Sequence, residues 1–283
     1  MKRFAHTVTS ELPPHPRRRV QQRLALCLGL ACLSPGWAQV TPSPQAPQGL
    51  HYLEAYEEQN RLSAGFDRWR ETGMRGIYQS GQHQLSAEAL HTQRFNESGN
   101  YLGLGDTVVL NPEWYASLNV GAGDGAAYLP KYRVDGFIHR KFLDDLRLVG
   151  SLGLGLYRAP DGHQDDNVSL GLSYYFSQPW VVQAQVKSSH SNPGGIRTLQ
   201  YFVAASWAVQ PNTQITGRYG WGEEGYQSLG GSASITEFSS RQKTLTVQHR
   251  LGPDWGLRLS ADNYHNPVYN RTGWRLALFK EFR

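Results

Sequence analysis

A histidine flanked by serines, within residues 189–194, is the sharpest candidate for catalysis in this sequence. A histidine that takes a proton from a serine hydroxyl makes that serine a nucleophile, which is the chemistry of acyl hydrolysis. His190 and Ser191 are adjacent, however, and adjacent residues of a strand point to opposite faces. Cooperation on one face would need one residue between them, so we interpret the segment as a polar loop or strand end.

A second group of reactive side chains recurs at every other position, with Phe137 in its middle: Arg133, Asp135, His139 and Lys141. A spacing of two places all of them on one face of a strand. If that face lines an aqueous interior, the group could form a constriction that selects a charged solute. A wet or ion-paired interior explains the same residues more simply, and we favour that interpretation.

Candidate metal ligands show no recognisable spacing. His91, His249 and His265 are far apart in the sequence and follow no zinc-ligand pattern. Between residues 161 and 166, three acidic residues surround Gly162 and His163 and could hold a cation loosely, but a solvated surface loop is the simpler interpretation. The sequence therefore predicts no catalytic residue, no cofactor-binding residue, no cofactor and no metal ligand.

Residues 1–38 have the features of a signal peptide. Arg17, Arg18, Arg19 and Arg23 precede an apolar run, residues 24–33, of about ten residues, which is too short to span a bilayer. Small residues end at Ala38, and we predict cleavage after it. The mature protein would then be exported through the periplasm.

Removing this leader changes the composition. The leader holds six of the 28 basic residues and one of the 23 acidic residues, so the remainder carries 22 of each. Both cysteines, Cys27 and Cys32, also lie in the leader. A neutral chain without cysteine gives no basis for nucleic-acid binding, disulfides or thiol chemistry.

Residues 39–59 are predicted to form a periplasmic linker rich in Pro and Gln, and residues 60–283 a β-barrel. The part from Leu50 to Asn60 fits a short helix or an extension of the first strand equally well. Beyond it, no apolar period of 3.6 residues is sustained, and alternation with a period of two recurs instead. The fold class is therefore all-β, an antiparallel transmembrane barrel.

The closing strand shows this alternation most clearly. Trp274, Leu276 and Leu278 share one phase, whereas Arg275 and Ala277 share the other. Similar runs predict about 14 strands, although 12 or 16 also fit. Their approximate centres are Gly65, Ile77, Ala89, Gly105, Leu118, Gly136, Leu152, Leu170, Ala184, Phe202, Gly217, Val247, Leu259 and Leu278.

Connections and tryptophans support a membrane barrel over a soluble sandwich. Short turns alternate with longer predicted loops, namely residues 121–130, 159–166 and 222–239. Trp114, Trp180, Trp207 and Trp255 lie beside short turns on the apolar phase, as expected for a girdle at one lipid–water interface. By the same alternation, Leu257 lies on the apolar phase and should face lipid, whereas Arg258 should face the lumen. We therefore expect Arg258→Leu to be tolerated far better than Leu257→Arg.

Three stretches resemble the YaiO-type outer-membrane β-barrel family. They are Leu129-Pro130-Lys131-Tyr132-Arg133-Val134-Asp135-Gly136, Gly153-Leu154-Gly155 followed by Asp165-Asp166, and the closing Gly273-Trp274-Arg275-Leu276. The likeness covers residues 60–282. It implies a bacterial outer-membrane barrel of unsettled activity, some of whose relatives occur near, or fused to, polysaccharide-synthesis machinery. It carries over no catalytic residue, and Arg283 departs from the usual ending on an aromatic residue.

The leading functional hypothesis is a non-enzymatic outer-membrane barrel that assists envelope or exopolysaccharide traffic. One alternative is a passive channel for small solutes, and another is an outer-membrane lipid A-modifying hydrolase. The expected partners are outer-membrane lipid and lipopolysaccharide, the barrel-assembly machinery during biogenesis, and polysaccharide.

Overall fold

A computed structural model of the protein describes residues 49–177, 179–230 and 233–282. The predicted signal peptide, its cleavage after Ala38 and residues 39–48 of the predicted linker lie outside the described residues. The strands are β1 Gly49–Leu62, β2 Trp69–Ser80, β3 His83–Arg94, β4 Glu97–Val109, β5 Trp114–Gly123, β6 Tyr132–Phe142, β7 Leu148–Arg158, β8 Gln164–Tyr175, β9 Trp180–Asn192, β10 Ile196–Gln210, β11 Thr213–Gly230, β12 Ala233–Arg250, β13 Trp255–His265 and β14 Asn270–Glu281.

These fourteen antiparallel strands form one closed barrel, which confirms the predicted fold class. Each strand pairs with its neighbours in sequence, and β1 pairs with β14 to complete the ring. The backbone N–H of Phe282 donates to the carbonyl of His51 at 2.9 Å, so both ends of the described chain lie at the same rim. Closure leaves no sheet edge with unpaired backbone groups, as a lipid environment requires.

The first strand is the main difference from the sequence prediction. It begins at Gly49, ahead of residue 60, and Gly65 lies in the turn after it instead of at a strand centre. Tyr52 and Tyr56 of this strand are buried in the interior together with Glu54. Because acidic and aromatic residues alternate on the inward face, the strand lacks the apolar phase by which the other strands were predicted.

The outward phase forms an apolar belt around the barrel. Leu154 and Leu170 are 62% and 57% exposed, whereas Asp135 and His139 are 4% and 1% exposed. The predicted phases of β6, β13 and β14 are confirmed in the same way: Leu257 is exposed, and Arg258 and Arg275 are buried. No helix in the described ranges is both long and apolar enough to cross a membrane.

Aromatic side chains mark both edges of this belt. Trp180 and Trp207 stack at 5.4 Å between ring centroids beside the short turns, as predicted for one girdle. A second group was not predicted: Trp221 stacks on Tyr201 at 5.6 Å and on Tyr219 at 5.2 Å, all facing outward. Tyr201 precedes Trp207 by six residues on β10, which is roughly 20 Å along a strand. The two girdles therefore bracket the apolar belt.

Within the predicted loop of residues 222–239, residues 222–230 and 233–239 instead form the outer half of a strand pair. β11 and β12 are 18 residues each, and their pairing continues from Thr213↔His249 to Gly230↔Ala233. The other two predicted loops are shorter than expected, because β5 extends to Gly123 and β8 begins at Gln164. Residues 222–239 are rich in Gly, Ser and Glu, and their strands pair with each other above the belt, so they need no apolar phase.

The closing strand yields a prediction about assembly. Phe282→Ala is expected to lower the amount of heat-modifiable barrel in outer-membrane fractions several-fold, because the barrel-assembly machinery is expected to recognise the terminal aromatic residue. The ring also lies 5.0 Å from the Lys280 ammonium, at the rim where both ends of the described chain lie. Deleting Arg283, which lies outside the described residues, serves as the control and should leave assembly intact. A harmful deletion combined with a silent Phe282→Ala would contradict this assignment.

Candidate functional site: the barrel interior and its mouth

One side of the interior is a wall of paired charges. It lies on β1, β2, β3, β13 and β14, and we call it the charged wall: Glu54, Glu58, Glu71, Glu88, Arg75, Arg94, Arg258 and Arg275. Glu54 is 1% exposed and pairs with Arg75 at 2.5 Å and with Arg258 from across the closure. Arg258 also donates to Gln248 at 2.9 Å. The wall joins the two ends of the chain through buried ion pairs.

Tyrosine hydroxyls extend the charged wall. Tyr56 donates to Glu71 and to Glu88, each at 3.3 Å, and the Arg275 guanidinium lies 4.3 Å from the Tyr56 ring. Arg275 and Arg94 in turn pair with Glu71 at 3.1 and 2.8 Å. This arrangement changes one expectation: Arg258 faces the lumen as predicted, but it is a member of a buried network and not a solvated side chain that tolerates replacement.

The opposite side of the interior is lined by tyrosines and amides. This tyrosine–amide wall is contributed by β4 to β9: Tyr101, Tyr115, Tyr157, Tyr175, Asn119, Asn167, Gln183 and Gln185. Glycines on the inward phase leave room for these rings and amides. A side chain at Gly121 would collide with the Tyr101 ring, and one at Gly155 would collide with Asn167. The wall presents ring faces and hydrogen-bonding amides toward the lumen.

The predicted group on β6 lies in this wall and is largely paired. Arg133 forms an ion pair with Asp135, and His139 hydrogen-bonds to Ser151 at 2.7 Å. His139 also stacks on Tyr115, with ring centroids 4.4 Å apart, and the Lys141 ammonium lies 5.7 Å from the same ring. These contacts agree with the ion-paired interior that the sequence favoured over a selective constriction.

The serine–histidine candidate does not form a catalytic pair. His190 and Ser191 lie near the end of β9, where His190 is exposed on the outer face and Ser191 is 2% exposed on the inner face. They point to opposite sides of the barrel wall, as adjacent strand residues do. The segment is therefore a strand end, and its two candidate residues cannot act on one substrate atom.

The histidines considered as metal ligands are each bonded to a separate neighbour. His91 bonds to Asn100 at 2.9 Å, His249 to Thr213 at 2.8 Å and His265 to Asn270 at 2.5 Å. In the described part of the chain, no group of three or more His, Cys, Asp or Glu residues is placed to hold a metal ion.

The outer half of the β11–β12 pair lies over one end of the lumen. We call residues 222–230 and 233–240 the mouth hairpin. Its Glu224 accepts a hydrogen bond from Tyr264 at 3.0 Å, and its Gln227 donates to Tyr269 at 2.6 Å and accepts from Asn266 at 3.0 Å. These contacts attach one side of the hairpin to β13 and to the β13–β14 turn.

The hairpin tip contacts an apolar cluster built from strand ends and turns. The cluster consists of Leu62, Trp69, Tyr264 and Tyr269, with Phe66, Phe95, Val268 and the tip residue Leu229 packed against it. A side chain at Gly230 would come within 2.4 Å of the Phe95 side chain, which shows how closely the tip approaches the β3–β4 turn. Phe95 itself packs edge-on against Trp69, at 4.9 Å between ring centroids. The tip thus crosses from β11–β12 to the opposite turns.

The other side of the mouth hairpin is held by the β7–β8 loop. The Tyr226 ring stacks on His163 at 3.7 Å, and its hydroxyl donates to Asp161. Burial raises the pKa of the Asp161 carboxyl, but hydrogen bonds from Tyr226 and His163 outweigh it and hold that pKa below its usual value. Within the exposed acidic segment of residues 161–166, Asp161 and His163 therefore contact the hairpin.

The β5–β6 loop covers the remaining part of this rim. Tyr128 donates to the carbonyls of Thr92 at 2.8 Å and Glu97 at 3.1 Å, and Leu129 is buried. Burial raises the pKa of the Tyr128 hydroxyl to about 12, so it stays a neutral donor. Sequence reasoning missed this covered mouth, and the available signal was the aromatic residues located in turns, such as Phe66, Phe95 and Tyr269.

Comparison with known proteins agrees with this architecture. The sequence model of a family described as "YaiO membrane beta barrel domain" matches residues 50–227. A search of curated proteins found no match.

Solved structures share the fold at low sequence identity. A CymD monoaromatic hydrocarbon channel superposes with a TM-score of 0.57 at 9% identity, covering 85% of this chain and 90% of that one. A bacterial polysaccharide outer membrane secretin gives 0.53 at 11% identity, with 84% and 100% coverage. Acinetobacter baumannii outer membrane protein Omp33 gives 0.51 at 10% identity, with 83% and 100% coverage. These likenesses establish the barrel fold.

Proposed function

Because this chain belongs to the YaiO membrane β-barrel family, we propose that it is a gated outer-membrane conduit for saccharide-type solutes. The fold and the family are those of bacterial outer-membrane barrels. The substrate class, the gating and the non-enzymatic character belong to the proposal, and each follows from a feature of the interior.

The tyrosine–amide wall is the observation that carries the substrate class. Sugar rings offer hydroxyls that pair with amides and flat C–H faces that pack on aromatic rings, and this wall offers both kinds of group to the lumen. The charged wall opposite is internally paired, so its charges are largely compensated before a solute enters. An interior of this kind suits an uncharged or weakly charged chain of sugars better than a small ion.

The mouth hairpin is the observation that favours gating over a permanently open pore. A passive channel, the second hypothesis, needs a mouth that stays open, whereas here Leu229 and Tyr226 reach opposite sides of the rim. The third hypothesis, a lipid A-modifying hydrolase, loses its only candidate pair because His190 and Ser191 point to opposite faces. We therefore infer a transport role without catalysis.

Planar-bilayer recording in the presence of oligosaccharides tests the proposal. Neutral oligosaccharides are expected to interrupt the current during openings, either of the intact chain or of a variant with a shortened mouth hairpin. Tyr157→Ala should weaken this block about fivefold, since the loss of one aromatic contact costs about 1 kcal/mol. Tyr78→Ala is the matched control, because Tyr78 faces outward and is exposed.

Two results would contradict the proposal. If oligosaccharides leave open-channel currents uninterrupted, the proposed substrate class is wrong. If the wild-type protein gives steady currents without closures, the proposed gating is wrong. Changed lipid A in the mass spectrum of cells expressing the protein would instead support the hydrolase.

A further inference from the structure

The outer face of β12, β13, β14 and β1 carries two polar rows above the apolar belt. In the lower row, Lys243, Asn263, Thr272 and Arg61 are directly opposite one another across the four strands. In the upper row, Arg241, His265 and Asn270 are aligned in the same way. We call these seven residues the outer polar rows. All seven are exposed.

The three cations of these rows have no counter-ion. Arg61, Arg241 and Lys243 form no ion pair among the described residues, in contrast to the inward arginines of the charged wall. The nearby carboxylates do not pair with these cations. Glu57 is opposite Leu276, two rows lower, and accepts a hydrogen bond from Gln59. Glu223 is one row above Arg241 on the neighbouring strand β11, and Glu237 is exposed on β12, but neither forms an ion pair with a row cation among the described residues. The rows therefore present uncompensated positive charge.

The groups between the cations can bind sugar hydroxyls. Asn263 donates to Thr272 at 3.1 Å, which fixes both side chains between Lys243 and Arg61. Lys243 and Arg61 are three strand spacings apart, or roughly 14 Å. A disaccharide with a phosphate at each end can reach from one cation to the other, with its hydroxyls on the amide and hydroxyl between them.

Directly below the rows, the face becomes apolar on β12, β13 and β14. The next row holds Leu245, Ala261 and Trp274, and the row after it holds Val247, Leu259 and Leu276. On β1, the same two rows hold Gln59 and Glu57. Trp274, Leu276 and Leu259 are exposed on this face. Acyl chains lying along this belt would place their headgroup at the level of the cations. Since both described chain ends lie at the other rim, this rim faces the outer leaflet in the orientation that bacterial barrels adopt.

We propose that the outer polar rows bind a phosphorylated glycolipid of the outer leaflet. One phosphate lies on Arg241 and Lys243, the other lies on Arg61, and the sugars lie on Asn263 and Thr272. Arginine and lysine bind phosphate through charge-assisted hydrogen bonds, which are stronger than neutral ones. The site is independent of the lumen and of any solute that passes through it.

Binding of defined lipids to the refolded full chain tests this site. Affinities of bis-phosphorylated lipid A, monophosphorylated lipid A and phosphatidylglycerol are measured by native mass spectrometry in detergent. Arg241→Gln and Lys243→Gln are each expected to weaken binding of bis-phosphorylated lipid A about tenfold, the effect of losing one charge-assisted hydrogen bond. Arg61→Gln should weaken binding of bis-phosphorylated lipid A by the same factor. It should leave the affinity for monophosphorylated lipid A unchanged, because the single phosphate of that lipid can bind Arg241 and Lys243.

Arg140→Gln is the matched control. Arg140 also faces outward and is exposed, but it lies at the opposite rim near Glu113, so its replacement should leave lipid A affinity unchanged. In gel electrophoresis, a heat-modifiable band that migrates like that of the wild-type protein confirms that each variant is folded. Equal loss in the Arg140 variant, no loss in the three row variants, or binding of phosphatidylglycerol as tight as that of lipid A would each overturn the proposal.

Discussion

Removing the tip of the mouth hairpin, residues 225–237, is expected to convert brief openings into steady current, with a time-averaged conductance roughly tenfold higher or more. Glu224 and Phe238 are directly opposite in the β11–β12 pairing, so a two-residue Asn-Gly turn can join them without changing the register. The deletion removes Tyr226, Gln227 and Leu229. It leaves the membrane-spanning parts of both strands intact.

The size of the expected effect follows from what those residues hold. Leu229 packs in the apolar cluster with Trp69 and Tyr269, and Tyr226 binds the β7–β8 loop through His163 and Asp161. The deletion removes the contacts of Leu229 on one side of the rim and of Tyr226 on the other. These are the described contacts by which the tip spans the rim. The charged wall and the tyrosine–amide wall stay in place, because none of the contacts described for them involves residues 225–237.

A single substitution tests the gate without deleting any residue of the hairpin. Tyr226→Phe keeps the ring stacked on His163 but removes the hydrogen bond to Asp161, so we expect an intermediate increase in open time. Replacing Pro211-Asn212, the turn at the other end of β11, by Asn-Gly is the matched control and should leave conductance unchanged. Identical conductance of the trimmed and intact chains would contradict the gate.

The sequence predicted the outward half of this molecule far better than the inward half. Lipid requires an apolar side chain at every outward position of the belt, so strands such as β8 and β14 show a period of two that depends on nothing else. Thirteen of the fourteen predicted centres therefore fall within strands. The first strand was not predicted at its true position, because its inward phase is Tyr52, Glu54 and Tyr56 and its outward phase is only weakly apolar.

Inward positions depend on partners that are remote in the sequence. Glu54 and Arg258 are 204 residues apart and meet only because β1 closes on β14 with β13 beside it. A period of two places both residues on the inner face but cannot show that they pair. The mouth hairpin was missed for a related reason: its tip packs against Phe95 and Tyr269, which follow other strands and have no periodic signal of their own.

Substitutions of two adjacent residues of β13 are each expected to destabilise the barrel, one on its lipid side and the other on its lumen side. Leu257→Arg places a cation against lipid one outward position from Trp255 of the girdle, and a lipid-facing Arg costs up to roughly 2–4 kcal/mol, the value at the bilayer midplane. Arg258→Leu removes one partner of the buried Glu54 carboxylate, and breaking a buried pair costs about 3–5 kcal/mol. We expect the lower end of that range, because Arg75 still binds Glu54 at 2.5 Å. Unfolding free energies in urea, measured in lipid vesicles, give both values.

A double variant shows which interaction is responsible. If the cost of Arg258→Leu comes from its lost pairing with Glu54, adding Glu54→Gln to the same chain should recover at least about 1 kcal/mol relative to the sum of the two single-variant costs, since both changes remove the same ion pair. The same Glu54→Gln change should give no recovery in the Leu257→Arg variant, whose defect lies on the lipid side of the wall. Ser260→Ala is the control for a lumen position outside the charged wall: Ser260 shares only one hydrogen bond with Thr246, at 2.9 Å, so its loss should cost about 1 kcal/mol. Tolerance of Arg258→Leu, or recovery by Glu54→Gln in both backgrounds, would mean that the closure of β1 on β14 does not depend on the buried ion pairs.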